Sequence, residues 1–148
     1  MKLTSPAFNH DSSIPSKYGY KFENMSPPLK IENIPKNTKS LVLIMDDPDA
    51  MEVVGKVWIH WLIWNISPDI QIINENFIPE NSKEGLNDFG EIGYGGPAPP
   101  DKEHKYFFKL YALNRIPDLK EGSSKIELEN EISENIIEES VLTGRFSP

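Results

Sequence analysis

The sequence predicts a mainly β fold with one helix near its C-terminal end. Three apolar runs have the length and the β-branched and aromatic content of buried strands. Most of the 13 prolines and 9 glycines fall between apolar runs, where turns join short strands. The apolar repeat changes to helical spacing only in the last part of the chain. At 148 residues, the chain suits a single domain, residues 1–148, with one hydrophobic core.

The first strand is predicted at residues 41–45, where Leu41 to Met45 form a continuous apolar run. A run without polar alternation is typical of a strand that is buried on both faces. It leads directly into Asp46-Asp47-Pro48-Asp49, which we interpret as a turn. Asp47 and Asp49 are therefore expected at the end of a central strand.

The second and third strands are predicted at residues 58–66 and 104–113. The second contains all three tryptophans and His60 among apolar residues of both parities. In the third, side chains alternate between the two faces of a strand, which places His104 and Tyr106 on the same face. Lys105 is then expected to point away from them and to form a structural ion pair.

A long irregular segment, residues 67–103, joins the second and third strands and is rich in proline, glycine and asparagine. Loops of this length in a compact domain are uncommon and often functional. Its end, residues 93–100, combines flexible glycines with rigid prolines. This composition suits either a fixed wall beside a ligand or a tight surface turn.

The helix is predicted after residue 123. The apolar residues that repeat at helical spacing are Leu128, Ile132 and Ile136, with Ile137 and Val141 beside them. Ser124 and Glu127 have the spacing of a capping box, and Gly144 could end the helix. The sequence therefore predicts one amphipathic helix over about residues 124–143, packed on the sheet, with its glutamates in solvent.

The composition excludes several classes of partner. Fifteen Lys and Arg against 23 Asp and Glu give a net charge of -8, which opposes nucleic acid phosphates over most of the surface. No apolar stretch approaches the roughly 18 residues of a membrane span, and the N-terminal residues do not form a signal sequence. The chain has no cysteine. We expect a cytoplasmic protein that binds no nucleic acid and does not span a membrane.

The candidate site residues are polar groups in or beside the apolar runs. His60 and His104 need polar partners in a buried strand, and each alone could be a satisfied core histidine. With Asp47, Asp49 and Tyr106, they could instead converge on one small ligand. Histidine N–H and tyrosine O–H groups donate to anionic oxygens, and an aspartate accepts from a protonated phosphate oxygen or an ammonium group. The set therefore suits a phosphate monoester, a phosphonate or a carboxylate.

The strong local signatures of nucleotide-binding, acyl-transfer and zinc-peptidase sites are missing. We therefore expect no enzyme activity and assign no catalytic residue, metal ligand or cofactor. A hydrolase, in which His60, His104 and Asp47 hold a metal or transfer protons, is the minor alternative.

A series of motifs, in order and spacing, resembles the phosphatidylethanolamine-binding protein family in its short bacterial and archaeal, Raf kinase inhibitor-like branch. The matching segments are residues 3–8, 14–15, 26–29, 40–50, 58–61, 87–90, 93–100, 104–106 and 142–144. The resemblance implies a central β-sheet between a smaller sheet and a C-terminal helix, with an anion pocket at one end.

The family's pocket residues fall on Asp47, Asp49, His60, His104 and Tyr106. Its proline wall corresponds to Pro97, Pro99 and Pro100. The chain departs from the family at Met51, where proline is usual, and at Lys102 and Lys105, where glycine and arginine are usual. Lysine lacks the rigid bidentate fork of arginine, so these departures bear on ligand selectivity.

The resemblance implies binding of phosphate, phosphoethanolamine or a similar head group, with regulation through a kinase or protease partner. Inhibition of a serine protease through the 67–103 segment is the alternative that the family also offers.

Overall fold

The computed structural model describes all residues, 1–148, and contains two β-sheets and two helices. The strands are β1 (Lys2–Thr4), β2 (Ser12–Ser13), β3 (Leu29–Glu32), β4 (Ser40–Asp47), β5 (Trp58–Ile66), β6 (Ile72–Ile73), β7 (Lys83–Glu84), β8 (His104–Leu113) and β9 (Ile136–Phe146). The helices are α1 (Met51–Val54) and α2 (Lys125–Ile132), and single 3₁₀ turns lie at Ser16–Tyr18 and Pro48–Ala50.

The larger sheet has six strands in the order β2-β9-β8-β4-β5-β7, and the smaller one has three in the order β1-β3-β6. Strands β9, β8, β4 and β5 pair antiparallel, whereas the short β2 pairs parallel with β9. The predicted runs at residues 58–66 and 104–113 coincide with β5 and β8. The mainly β fold class is therefore confirmed.

Strand β4 is the centre of the larger sheet and is buried along its whole length. Leu41, Leu43 and Met45 belong to the cluster that packs against the smaller sheet. Val42 and Ile44 point to the other face and pack with residues of α2. The continuous apolar run thus serves two cores, which confirms the predicted layers of small sheet, large sheet and helix.

The predicted extent of the C-terminal helix is wrong. The capping box of Ser124 and Glu127 is present, but α2 ends at Ile132 and the chain then forms β9. β9 pairs with β8 from Phe146 back to Ile136, so its backbone groups are satisfied in the sheet. Ile136 and its β-branched neighbours suit a strand better than a helix.

Gly144 therefore does not end a helix. It lies within β9, where a Cβ atom would stand 2.5 Å from Ile14 Cγ1, so a close contact between chain segments requires glycine there.

The antiparallel order brings the ends of three strands together at one end of the larger sheet. The C-terminal end of β4 pairs with the first residues of β5 and β8, as Asp47 is opposite Trp58 and Asp46 is opposite Phe107. Side chains from three separate parts of the sequence therefore meet there. None of the helices has both the length and the apolar character that crossing a membrane requires.

Candidate functional site

A cavity of about 140 Å³ opens at this end of the larger sheet. It is lined by Asp47, Ala50, Val53, Val54, Trp58, His60, Phe89, Ala98, Pro100, His104 and Tyr106. At about 30 Å³ for each water molecule in the liquid, the volume corresponds to roughly four or five waters. The cavity is thus large enough for one small polar group.

His104 lies between two carboxylates beneath the cavity. Its Nδ1 is 2.6 Å from Asp47 Oδ2, and its Nε2 is 2.7 Å from Asp101 Oδ1. A carboxylate can only accept, so both ring nitrogens donate and the ring is an imidazolium. Burial alone would lower the pKa of His104, but the bonds to Asp47 and Asp101 outweigh it and raise the pKa.

His60 has the opposite character. Its Nδ1 is 2.6 Å from the carbonyl oxygen of Gly95, so Nδ1 carries the proton and donates. Burial in the sheet lowers the pKa of His60 to about 4. The ring is therefore neutral at physiological pH, and its Nε2 is a hydrogen-bond acceptor at the cavity.

Three cavity-lining residues carry buried polar atoms without a partner in the protein. These atoms are the Tyr106 hydroxyl, Asp47 Oδ1 and Trp58 Nε1. The Tyr106 ring packs edge-on against His60, at 5.2 Å between centroids. Burial and the neighbouring Asp47 carboxylate raise the pKa of Tyr106, so its hydroxyl keeps the proton and can donate it in a hydrogen bond. Buried polar groups are normally paired, so these atoms indicate a position for a ligand or ordered water.

The remaining lining residues make the cavity walls apolar. Val53 and Val54 come from α1, which ends at Gly55 in a left-handed conformation. Phe89 stacks on Tyr20, at 3.8 Å between ring centroids. A polar floor beneath apolar walls is typical of a small-molecule site.

Three of the predicted site residues lie outside the cavity lining. The Asp49 carboxylate accepts a hydrogen bond of 2.8 Å from the backbone N–H of Lys105, and so joins the turn after β4 to β8. Pro97 and Pro99 line a neighbouring groove, whereas Pro100 lines both the groove and the cavity. The structure thus places Asp47, His60, His104, Tyr106 and Pro100 together and sets Asp49, Pro97 and Pro99 apart.

The glycines before the prolines allow close packing. A Cβ atom on Gly96 would stand 2.0 Å from the carbonyl oxygen of Tyr18, and one on Gly95 would stand 2.5 Å from Phe89 Cδ2. Because Gly95 also holds His60 through its carbonyl, this segment fixes the tautomer of a cavity histidine. The segment is therefore a fixed wall of the cavity and not only a surface turn.

No lysine or arginine lines the cavity. Lys105 points away from His104, as predicted, and pairs with Asp11 at 3.2 Å. Lys102 pairs with Glu52 at 3.1 Å between exposed side chains. The only cation at the cavity is the His104 imidazolium.

Asp101 and the aromatic wall residues Trp58 and Phe89 were not predicted from the sequence. Asp101 stands three residues before His104, but only the path of the loop shows that its carboxylate reaches the ring. Trp58 begins a predicted strand and offered no separate signal. No three His, Asp or Glu side chains are grouped so that they could hold a metal ion.

Comparisons with known proteins agree with this architecture. The family model described as "Phosphatidylethanolamine-binding protein" matches residues 4–147. The UPF0098 protein of Methanothermobacter thermautotrophicus is 44% identical over 151 residues, which cover 99% of this chain and 98% of that protein. A UPF0098 protein of Chlamydia trachomatis is 40% identical over 148 residues, with 99% and 98% of the two chains covered.

Two solved structures have the same fold over nearly the whole chain. The crystal structure of a phosphatidylethanolamine-binding protein homologue from Chlamydia trachomatis has a TM-score of 0.94 at 39% identity and covers 99% of this chain and 97% of that one. Escherichia coli YbcL, described as a member of the mammalian family, has a TM-score of 0.92 at 26% identity, with 99% and 98% covered. This chain therefore belongs to the phosphatidylethanolamine-binding protein family.

Proposed function

We propose that this protein binds a small oxyanion that also carries a hydrogen-bond donor, such as a phosphate monoester monoanion or phosphoethanolamine. The observation that carries the proposal is a pair of unpartnered buried atoms on two cavity-lining residues, the Tyr106 hydroxyl and Asp47 Oδ1. Asp47 Oδ1 can only accept, and the Tyr106 hydroxyl has a proton to donate. A ligand that uses both groups in this way itself accepts and donates.

Each polar residue of the cavity then has a distinct part in binding. The Tyr106 hydroxyl donates to an anionic oxygen, and Asp47 Oδ1 accepts from a P–O–H or an ammonium group. His60 is neutral, and its Nε2 provides a second acceptor. The His104 imidazolium supplies positive charge in a site that water leaves on binding, where a charge acts more strongly than at the surface.

This chemistry distinguishes ligands of equal size. Sulfate has the size and shape of phosphate but no proton to donate to Asp47 Oδ1, so we expect it to bind more weakly. A phosphate monoester near pH 5.5 is mostly a monoanion, because its second pKa is about 6. The donor requirement therefore predicts stronger binding of the monoester than of sulfate at that pH.

The cavity lining contains no serine, threonine, cysteine or lysine. The proposal is one of binding, and the absence of enzyme activity remains a prediction from the sequence. The family's name supports a phospholipid head group as one source of the anion. A kinase or serine protease partner and a cytoplasmic location remain predictions from the sequence and its family.

The test is isothermal titration with phosphoethanolamine for the wild type and for Tyr106→Phe and Tyr111→Phe. Both tyrosines lie in β8, but Tyr111 faces away from the cavity and packs against the hydrophobic cluster that includes the buried residues of α2. A lost hydrogen bond to a charged acceptor is worth about 1.5 to 3 kcal/mol, so Tyr106→Phe should weaken binding by about ten-fold or more. Tyr111→Phe should leave the affinity unchanged. Equal effects of the two substitutions, or no binding by the wild type, would contradict the proposal.

A further inference from the structure

The contact between Asp101 and His104 differs from the other hydrogen bonds of the cavity floor. Asp101 Oδ1 lies 2.7 Å from His104 Nε2, yet the Asp101 side chain is 39% exposed, whereas those of His104 and Asp47 are 1% and 5% exposed. Asp101 does not line the cavity. A solvated carboxylate on the loop before β8 thus holds one nitrogen of a buried imidazolium.

We propose that Asp101 is an internal competitor for the ligand, occupying the His104 Nε2–H group that an entering oxyanion takes by displacing it. This inference rests on the proposed function. It makes Asp101, a residue outside the cavity, a determinant of how tightly the cavity holds an anion.

His104 donates two hydrogen bonds, and only one of them can pass to an entering ligand. Nδ1 donates to Asp47, whose side chain is buried in the sheet and cannot leave without exposing the floor. Nε2 donates to Asp101, which is partly in solvent and lies in the loop before β8. Of the two carboxylates, only Asp101 can move into water while the strands keep their positions.

The charges at the floor favour exchange over simple addition. Asp47 and Asp101 already outnumber the single imidazolium. A monoanion that entered beside them would meet a net negative charge at short range. A monoanion that replaces Asp101 on Nε2 keeps the number of charge-assisted hydrogen bonds unchanged and moves one carboxylate into solvent, where its charge is screened.

Asp101→Ala tests this competition, with Asp69→Ala as the matched control. Both substitutions remove one exposed aspartate and change the net charge equally. Asp69, however, lines a separate pocket and follows the end of β5 opposite to the cavity. The probe is inorganic phosphate, titrated by calorimetry at about pH 6, where histidine with its ordinary pKa of about 6.5 is largely protonated. Because a partly exposed ion pair is worth little, we expect Asp101→Ala to tighten phosphate binding about two- to five-fold. Asp69→Ala should change it less than two-fold.

A structural readout accompanies the titration. In a crystal of the wild type with phosphate, the Asp101 carboxylate should have left His104 Nε2 and a phosphate oxygen should occupy its place. Asp101→Asn, which keeps the side-chain volume without the charge, provides a second variant and should tighten binding in the same direction.

The outcomes separate this inference from the proposed function. If the wild type binds phosphate and neither Asp101 variant binds more tightly, the competition is refuted and the binding function stands. Binding by the Asp101 variants alone would support a strong competitor. If no variant and no wild-type protein binds phosphate, both the function and the competition are wrong.

Discussion

Acidification should destabilise the protein through His60, whose neutral ring is buried in the sheet. Burial lowers the pKa of His60 from 6.5 to about 4, so the folded state resists protonation that the unfolded chain accepts. The stabilising contribution is fully present above pH 6.5 and is lost as the pH falls from about 6.5 to about 4. The whole shift corresponds to about 3 kcal/mol, of which about 2.5 kcal/mol should be lost by pH 4.5. This is a large part of a typical domain stability of about 5 to 15 kcal/mol.

The other cavity histidine does not produce this loss. The folded pKa of His104 is raised, so its contribution is present below 6.5 and is lost only as the pH rises above that value. Carboxylates in ion pairs also lose stabilisation in acid. A variant without the His60 ring measures that loss, which is then subtracted from the loss of the wild type. His60→Gln keeps an N–H donor for Gly95 and cannot become charged.

The assay is urea unfolding of the wild type and of His60→Gln at pH 7 and pH 4.5, together with an NMR titration of the His60 ring. The wild type should lose about 2.5 kcal/mol more than the variant between the two pH values. A His60 midpoint near 6.5, or equal losses in the two proteins, would refute the lowered pKa that burial gives the His60 ring.

Three further outcomes are expected. Tyr106→Phe should leave the free energy of unfolding unchanged or raise it by up to about 1 kcal/mol, because the Tyr106 hydroxyl has no partner. Tyr94→Phe should lower it by about 1 kcal/mol, because the Tyr94 hydroxyl donates to a backbone carbonyl at 2.9 Å. Chemical denaturation measures both changes, and equal losses would contradict the unpartnered state of Tyr106. His104→Ala should weaken phosphoethanolamine binding more than Lys105→Ala, because the Lys105 side chain points away from the cavity and pairs with Asp11 at 3.2 Å. The reverse order would mean that the register of β8 is wrong. Duplex DNA should bind no more tightly than about 10 μM at physiological salt, because the net charge is -8, and a fluorescence anisotropy titration with sub-micromolar affinity would contradict this.

The central strands could be predicted from the sequence because their signal is strong and local. The apolar run of β4 extends over both faces, and the alternation in β8 places His104 and Tyr106 on one side. Strands of two residues, such as β6 and β7, carry no periodicity and were not predicted. Their pairing depends on partners that are distant in the chain.

The C-terminal segment shows where periodicity misleads. Leu128, Ile132 and Ile136 have helical spacing, but only the first two belong to α2. Ile136 begins a strand that covers β8 along ten paired residues. The deciding interaction is a long-range sheet contact, which local spacing does not reveal.

At the site, the sequence indicated which residue types meet but not how they are paired. Alternation and motif order brought Asp47, His60, His104 and Tyr106 together, and the structure places all four at one cavity. The protonation states depend on the burial of His60 in the sheet and on loop partners, namely Gly95 for the His60 tautomer and Asp101 for the second nitrogen of His104. Those loop paths are set by tertiary packing, so sequence reasoning could not assign one neutral and one charged histidine.

The most direct test of the proposed binding function is a crystal structure of the protein grown with phosphoethanolamine. We predict electron density for the phosphate group in the cavity, with an oxygen within hydrogen-bond distance of the Tyr106 hydroxyl and a ligand donor on Asp47 Oδ1. An empty or water-filled cavity at saturating ligand, or a ligand bound only elsewhere on the surface, would contradict it.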